Sequence, residues 1–499
     1  MNKSDIIDTT SGKMQGYKEN DLVIFKGIPY AEPPIEELRF SPPVEKKRWD
    51  GVLEATKYGF CAYQGYTQLE DITGKLQPES EDCLNLNIWT PNIDNKKRPV
   101  MFWIHGGAFL MGGGNDPMYD GSVLAQRGEV VVVTINYRLG ALGYLYIPDV
   151  TVNCGHLDQL LALKWVQDNI ELFGGDPNNV TIFGESAGGY SVVALAAMPA
   201  AKGLFHRIIA QSAPAINPKV TKKPSKNLIR MLGVEKGDID ALRKIPPAEI
   251  IDAQNKLLAE NSANLLAFRP LVDGEIIPIH PLKSFQNGEC KDIEFMIGTN
   301  FDEAKLFTAL NPEISKMNNI NGEKIIIGFL SQLGMEISKA KAMIDTYKEA
   351  RKSKFPTDAK EILNALITDY MFRISTIRLL EAQSEHQSNT YNYLFTWPSP
   401  AFNGNLGSCH AIELPFVFNT LNNPSFKVFV GDNPDLNTMS HKVMDAWIAF
   451  AHSGNPNHES IPQWPSYDSE KRSTMLIDRE FKVVEKFLDE ERAAWEDII

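Results

Sequence analysis

Apolar and polar positions along the chain fall into two regimes. Over the first hundred residues, short apolar runs (DLVIFKGIPYA, LNLNIWTP, PVMFWIHGG) alternate with polar stretches and read as strands. Prolines at 33, 34, 42 and 43 mark a loop that crosses the surface there. From Pro99 the rhythm changes. PVMFWIH and EVVVVTINY are continuous apolar runs of buried-strand type, and DQLLALKWVQDNIELFG has helical spacing that ends at Gly174-Gly175. VTIFG then predicts a strand, GYSVVALAAM a small-residue helix stopping before Pro199, and HRIIAQSA a further element. Strands alternating with helices predict an α/β fold, with a mostly parallel central sheet covered by helices on both faces.

Two blocks interrupt this alternation. Residues from about 219 to 264 are lysine-rich with a helical pattern, and so are residues 322–387, where LNALITDYMFRISTIRLLEAQ is the longest amphipathic stretch. Strands return at DIEFMIGT and TYNYLFTW. The blocks read as helical insertions above the sheet that wall a pocket. With no repeat, low-complexity tract or linker between them, residues 1–499 are expected to form one unit.

Composition narrows the function classes. Hydrophobic residues make up 43% of the chain, enough for a large core, and the formal net charge of −13 argues against an extended phosphate-binding surface. Lys46-Lys47-Arg48 and Lys96-Lys97-Arg98 are short solvated charge runs. No nucleic-acid partner is expected. The N-terminal MNKSDIIDTTSGKMQG lacks the apolar stretch of a secretory signal, no segment has the length of a membrane span, and five cysteines suit a reducing compartment. A cytoplasmic monomer is the expected setting.

Chemistry enters at VTIFGESAGG. Ser186 lies within Gly184-Glu185-Ser186-Ala187-Gly188, between a predicted strand and a predicted helix, which is the Gly-x-Ser-x-Gly nucleophile elbow. A serine on so sharp a turn leaves no room for Cβ atoms at the flanking glycines. A serine hydroxyl needs a base, a carboxylate to orient that base, and donors for a tetrahedral oxyanion. In α/β-hydrolases the acid and then the histidine follow the serine, on loops after strands. After strand 292–299 come Asp302 and Glu303; Glu303 is favoured, with Asp302 as competitor. Among the histidines beyond them, only His410 lies in a loop (NGNLGSCH) that follows a strand (YNYLFTW).

WIHGGAFLMGGG supplies the donors. A strand ending in His-Gly-Gly-Ala turns backbone N–H groups toward one point, so Gly107 and Ala108 are expected to share an oxyanion with Ala187. Gly112-Gly113-Gly114 is not a phosphate loop, since no Lys-Ser/Thr follows it. His105 precedes nucleophile and acid and reads as structural. No histidine–carboxylate cluster has metal-ligand spacing, and no cofactor motif is present.

FKGIPYAEPP, SEDCLNLNIWTP, WIHGGAF, NYRLGALGYL, FGGDPNNVTIFGESAGG, GTNFDE, HAIELPFVF and AWIAFAHSGNPN occur in this order across nearly the whole chain. With them the sequence resembles the type-B carboxylesterases, the family of the cholinesterases and of the bacterial para-nitrobenzyl esterases, and most of all its bacterial branch. The resemblance implies an α/β-hydrolase fold, with Ser186 as nucleophile, Glu303 rather than Asp302 as acid, and His410 as base. It also implies oxyanion donors at Gly107, Ala108 and Ala187, and a supporting serine at Ser212, although Gln-Ser-Ala stands here where Gln-Ser-Gly is usual. Cys61 and Cys83 match the family's first disulfide, which a reducing compartment would leave as thiols. The second disulfide of the secreted members has no counterpart, since residues 215–289 contain no cysteine.

The same resemblance sketches a substrate. Phe109, Leu110, Leu266, Phe268, Leu306 and Phe307 are expected near the pocket, Leu266 and Phe268 toward the acyl group and Leu306 and Phe307 toward the alcohol. The loop between Cys61 and Cys83 lacks the tryptophan that would hold a quaternary ammonium, with only Tyr63 and Tyr66 to stack, so choline esters are disfavoured. An apolar pocket without a fixed polar anchor implies small-molecule esters of short-to-medium acyl chains. Ala108 in the Gly-Gly-Ala turn resembles enzymes that accept bulky, even tertiary, alcohols. Amide or carbamate cleavage would use the same groups. A binding-only role, as in the neuroligin-like adhesion members, is disfavoured by the presence of Ser186.

Overall fold

In the computed structural model the apolar runs become one thirteen-stranded sheet. The structure describes residues 2–65, 78–148, 150, 152–214, 222–235, 237–260, 266–309, 311, 314 and 316–498. In chain order the strands are β1 (Asn2–Thr9), β2 (Gly12–Glu19), β3 (Leu22–Pro29), β4 (Val52–Glu54), β5 (Asn85–Thr90), β6 (Arg98–Ile104) and β7 (Val131–Ile135). They continue with β8 (Gly175–Glu185), β9 (Arg207–Gln211), β10 (Glu294–Asn300), β11 (Thr390–Phe395), β12 (Thr474–Ile477) and β13 (Lys482–Val484). Their spatial order is β1-β2-β3-β5-β7-β6-β8-β9-β10-β11-β12-β13, with β4 beside β2. Every pair from β7 through β12 is parallel, and the pairs β1–β2, β2–β3, β3–β5, β5–β7 and β12–β13 are antiparallel.

The central strands β6 and β7 are largely apolar because both their faces are covered. All seven residues of β6 and all five of β7 are buried. Phe102, Ile104, Val131 and Val133 pack into one core with Leu163, Val166, Val192 and Val193 from the helices Cys154–Asn169 and Ala187–Ala196. Met101, Trp103 and Val132 point the other way, into a second core with Met444, Trp447 and Phe450 of the helix Leu436–Ser453. Each fully buried side chain of this size contributes about 1.5–3 kcal/mol before chain entropy is counted.

The margins differ from the centre. The hairpin of β1 and β2 has no counterpart among the predicted strands. Its sequences, NKSDIIDT and GKMQGYKE, lack apolar alternation because β1 lies at the edge and exposes most of its residues. Within the second helical block, Ile326, Leu330, Ile344, Leu363 and Leu366 form a third core, completed by Trp495 from the C-terminal end of the chain. Here the helices Ala359–Thr368 and Ile374–Ser384 are joined by a π-helical turn, Asp369–Arg373. Arg373 binds Asp369 across that turn at 2.5 and 2.6 Å, both side chains being buried.

Candidate active site

The groups singled out in the sequence converge at the C-terminal ends of adjacent parallel strands, where open α/β sheets place their sites. β8 ends at Glu185, and Ser186 follows with φ 57° and ψ −118° before the helix Ala187–Ala196 begins. The flanking glycines are forced by contact. A Cβ at Gly184 would lie 2.6 Å from the carbonyl carbon of Gly188, and one at Gly188 would lie 2.0 Å from the Ile104 carbonyl oxygen. Ser186 is half-buried while its neighbours on both sides are buried, as expected of a residue at the tip of a sharp turn.

Two loops bring the other members together. β10 leads into Glu303, and the loop after β11 carries His410 back over it, so that His410 Nδ1 lies 2.5 Å from Glu303 Oε2. Glu303 is fully buried and its other oxygen accepts two further bonds, from the Ser212 hydroxyl at 2.5 Å and the Asn300 N–H at 2.7 Å. Asp302 turns away. It accepts the Ser408 N–H at 3.0 Å and pairs with Lys305 at 3.0 Å, bracing the histidine loop without reaching the imidazole.

The second imidazole nitrogen, Nε2, lies 3.0 Å from Glu185 Oε1. That contact becomes an ion pair when the imidazole is protonated. Burial disfavours the imidazolium, but the fields of Glu185 and then Glu303 outweigh it and raise the His410 pKa well above its usual value. A third carboxyl group, Glu413, is buried behind them. Burial, with Glu185 and Glu303 nearby, pushes its pKa up to about 8, against the donors Asn300 and Gln211 at 2.6 and 3.0 Å.

β6 ends beside this cluster in the glycine turn. Gly107 has φ 104°, Ala108 φ 55° and Phe109 φ 62°. Among the described residues, no protein acceptor takes the N–H of Gly107, Ala108 or Ala187. By contrast, the amides of Gly112 and Gly114 are spent within the fold, on Gln64 Oε1 at 2.7 Å and Asn136 Oδ1 at 2.8 Å. His105 bonds the Gly106 carbonyl through Nδ1 and stacks on Tyr137 at 4.5 Å; burial lowers its pKa to about 4, so it is a neutral brace for the turn.

Of the six residues expected near a pocket, Phe307 makes a ring contact with His410, and the others lie in the two cores flanking the sheet or packed against them. The Phe307 ring lies 5.2 Å from His410. Phe109 is buried against Tyr144 and against Tyr190 of the nucleophile helix, and Leu110 and Phe268 share its core. Leu306 is buried in the opposite core, and Leu266 is half-buried. Tyr63 is half-buried against the first core, while Tyr66 lies outside the described residues. Cys61 and Cys83 are both buried and are not joined in a disulfide.

Sequence reasoning passed over three residues. Phe372, on the π-helical turn, lies 4.8 Å from the His410 ring, nearer than Phe307; in the sequence it stands unmarked within the longest amphipathic stretch. Glu185 was visible as a charge ending an apolar strand, and Glu413 as a charge in the otherwise apolar AIELPFVF. Among the described residues, no group of three or more His, Cys, Asp or Glu side chains is placed to hold a metal ion, and no helix is long and apolar enough to cross a membrane.

Comparison with known proteins places the whole chain in one family. The profile of the Carboxylesterase family matches residues 3–495. The chain is 37% identical over 488 residues to the para-nitrobenzyl esterase of Bacillus subtilis (strain 168), covering 96% of each. It is 36% identical over 486 residues to the phenmedipham hydrolase of Pseudarthrobacter oxydans, covering 95% of this chain and 94% of that one. The crystal structure of the Geobacillus stearothermophilus carboxylesterase EST55 at pH 6.2 superposes with a TM-score of 0.88 at 36% identity, over 99% of this chain and 100% of the other. With the family spanning the chain from its first strand to its C-terminal tryptophan, the protein belongs to the carboxylesterase family, with its α/β-hydrolase fold, and is a carboxylic-ester hydrolase.

Proposed function

We propose that hydrolysis runs through a Ser186–His410–Glu303 triad and an acyl-enzyme, on short-to-medium acyl esters of apolar and bulky alcohols. The observation that carries this reading is the 2.5 Å contact of His410 Nδ1 with Glu303, beside a serine held on a strained turn. With an ester bound, Ser186 Oγ attacks the carbonyl carbon as its proton passes to His410 Nε2. The oxyanion is met by the N–H groups of Gly107, Ala108 and Ala187. The C–O bond to the alcohol then breaks, and the imidazolium returns its proton to the leaving oxygen. Water repeats the sequence on the acyl-enzyme and frees the acid.

The residues divide the work. Glu303, already accepting two hydrogen bonds, remains a carboxylate that orients the imidazole, and Ser212 fixes Glu303 in turn. Phe307 and Phe372 present apolar faces to the imidazole and exclude water from it. Ala108 in the oxyanion turn supports the bulky-alcohol reading.

Hydrolysis of p-nitrophenyl butyrate by the wild type and by Ser186→Ala, with phosphonate labelling of both, tests the nucleophile. Activity and labelling are expected to vanish together in the variant; activity that survives in Ser186→Ala overturns the triad. Release of acid from a tert-butyl ester tests the alcohol preference, and comparison with a matched carbamate and amide separates ester cleavage from its relatives. No turnover of the tert-butyl ester removes the bulky-alcohol reading.

A further inference from the structure

A pocket on the far side of β11 from the second core holds polar groups that the fold leaves unsatisfied. It lies between that strand, the helix Ile374–Ser384 and the segment leading to the C-terminus, with a volume of about 30 Å³, space for roughly two or three waters. Thr376 and Tyr467 line it at 2% and 4% exposure, and neither hydroxyl has a hydrogen-bond partner; nor has Nε of Arg472, which also lines it. The Tyr467 hydroxyl feels the fields of Glu381 and Asp468 as well as those of Arg472 and Arg492.

The charges around the pocket are unevenly matched. Arg373 is bidentate with Asp369, and Arg492 holds Asp489 at 2.6 Å. Arg492 also reaches the exposed Glu496 at 3.4 Å, and Glu381 is held by Arg378 at 3.1 Å. Arg472 meets acids only at longer range, Glu381 at 3.4 Å and Asp489 at 3.8 Å. Its backbone adopts φ 50°, a left-handed conformation costly for arginine that surrounding structure must maintain.

A guanidinium N–H and two hydroxyls, all unpaired, make a donor-rich lining with one weakly compensated positive charge. A group that accepts several hydrogen bonds and carries negative charge satisfies all three at once. We propose that this pocket is a binding site for a small oxyanion of the phosphate or sulfate class, held by Arg472, Tyr467 and Thr376 and separate from the esterase centre. Arg472 and Asp489 are the more exposed of the lining charges.

Calorimetric titration of the full-length protein with inorganic phosphate, at ionic strength fixed by chloride, tests the site. Saturable binding of one phosphate per chain is expected, with affinity at least tenfold weaker in Arg472→Gln and in Tyr467→Phe. The second variant keeps the ring and its packing, so it reports on the hydroxyl even if Arg472→Gln does not fold. Sulfate is expected to compete with phosphate. Absence of saturable heat, equal affinity in wild type and Tyr467→Phe, or ordered water alone in a crystal grown with phosphate overturns the proposal.

Discussion

His410 Nε2 lies 3.0 Å from Glu185 Oε1, so the nitrogen assigned to take the serine proton faces a carboxylate directly. Glu303 holds the other nitrogen, and the two fields raise the imidazole pKa despite its burial. A base must be neutral to act, so activity should rise as pH climbs through that raised value. Glu185→Gln removes one of the two stabilising charges. The acid limb of kcat/KM is expected to move down by about one pH unit or more, which corresponds to roughly 1.4 kcal/mol of lost imidazolium stabilisation. For folding stability the sign is opposite: the pairing stabilises fully below the ordinary imidazole value and fades as pH rises through the raised one. A pH–rate profile that does not move in the variant would show that Glu185 does not set the protonation of His410.

Two adjacent acids follow β10, and only one reaches the imidazole. Glu303→Gln replaces the carboxylate that fixes the tautomer of His410, and kcat is expected to fall about 10³- to 10⁴-fold with little change in KM. Asp302→Asn is expected to keep kcat within about tenfold. Its loss falls on the brace between the Ser408 N–H and Lys305, and shows as a lower Tm. Comparable losses of kcat in the two variants would contradict the assignment of the acid.

The contrast between these neighbours shows where sequence reasoning reaches and where it stops. The elbow at Ser186 was legible because its geometry demands glycine at two positions, and glycine is visible in a sequence. The parallel centre was legible because doubly covered strands such as PVMFWI carry no polar alternation. Which of Asp302 and Glu303 turns inward depends on a turn, and spacing along the chain left that choice open. Phe372 reaches His410 only because a π-helical turn rotates the residues of its helix, and helical periodicity carries no mark of such a turn. The β1–β2 hairpin escaped notice because edge strands owe their pairing to the neighbouring backbone more than to their own side chains.

Ser212 donates to the same Glu303 oxygen that accepts the Asn300 N–H. Ser212→Ala leaves that oxygen of the fully buried Glu303 with one donor fewer. Hydrogen bonds to a charged group contribute about 1.5–3 kcal/mol, so a comparable loss of stability and a drop in kcat of about tenfold are expected. Thermal unfolding and steady-state kinetics on the same preparation check both. Unchanged kcat with lowered stability would confine Ser212 to the fold.

Gly188 and Gly203 offer a matched test of why the elbow needs its glycines. A methyl group at Gly188 would lie 2.0 Å from the Ile104 carbonyl oxygen and 3.0 Å from the His105 carbonyl carbon, backbone atoms at the end of β6 and just past it. Neither can withdraw without moving β6 or the nucleophile helix. Gly203 has nothing within 4 Å of the corresponding position, and its φ of 85° makes alanine strained there for a purely local reason. Gly203→Ala is therefore expected to cost about 1–2 kcal/mol and to leave kcat unchanged. Gly188→Ala is expected to cost more than about 3 kcal/mol, or to prevent folding, and any folded fraction should lose kcat because the turn carrying Ser186, the proposed nucleophile, is displaced. Chemical denaturation of both variants separates the two costs. Equal losses would mean that contact with β6 does not dictate the second glycine of the elbow.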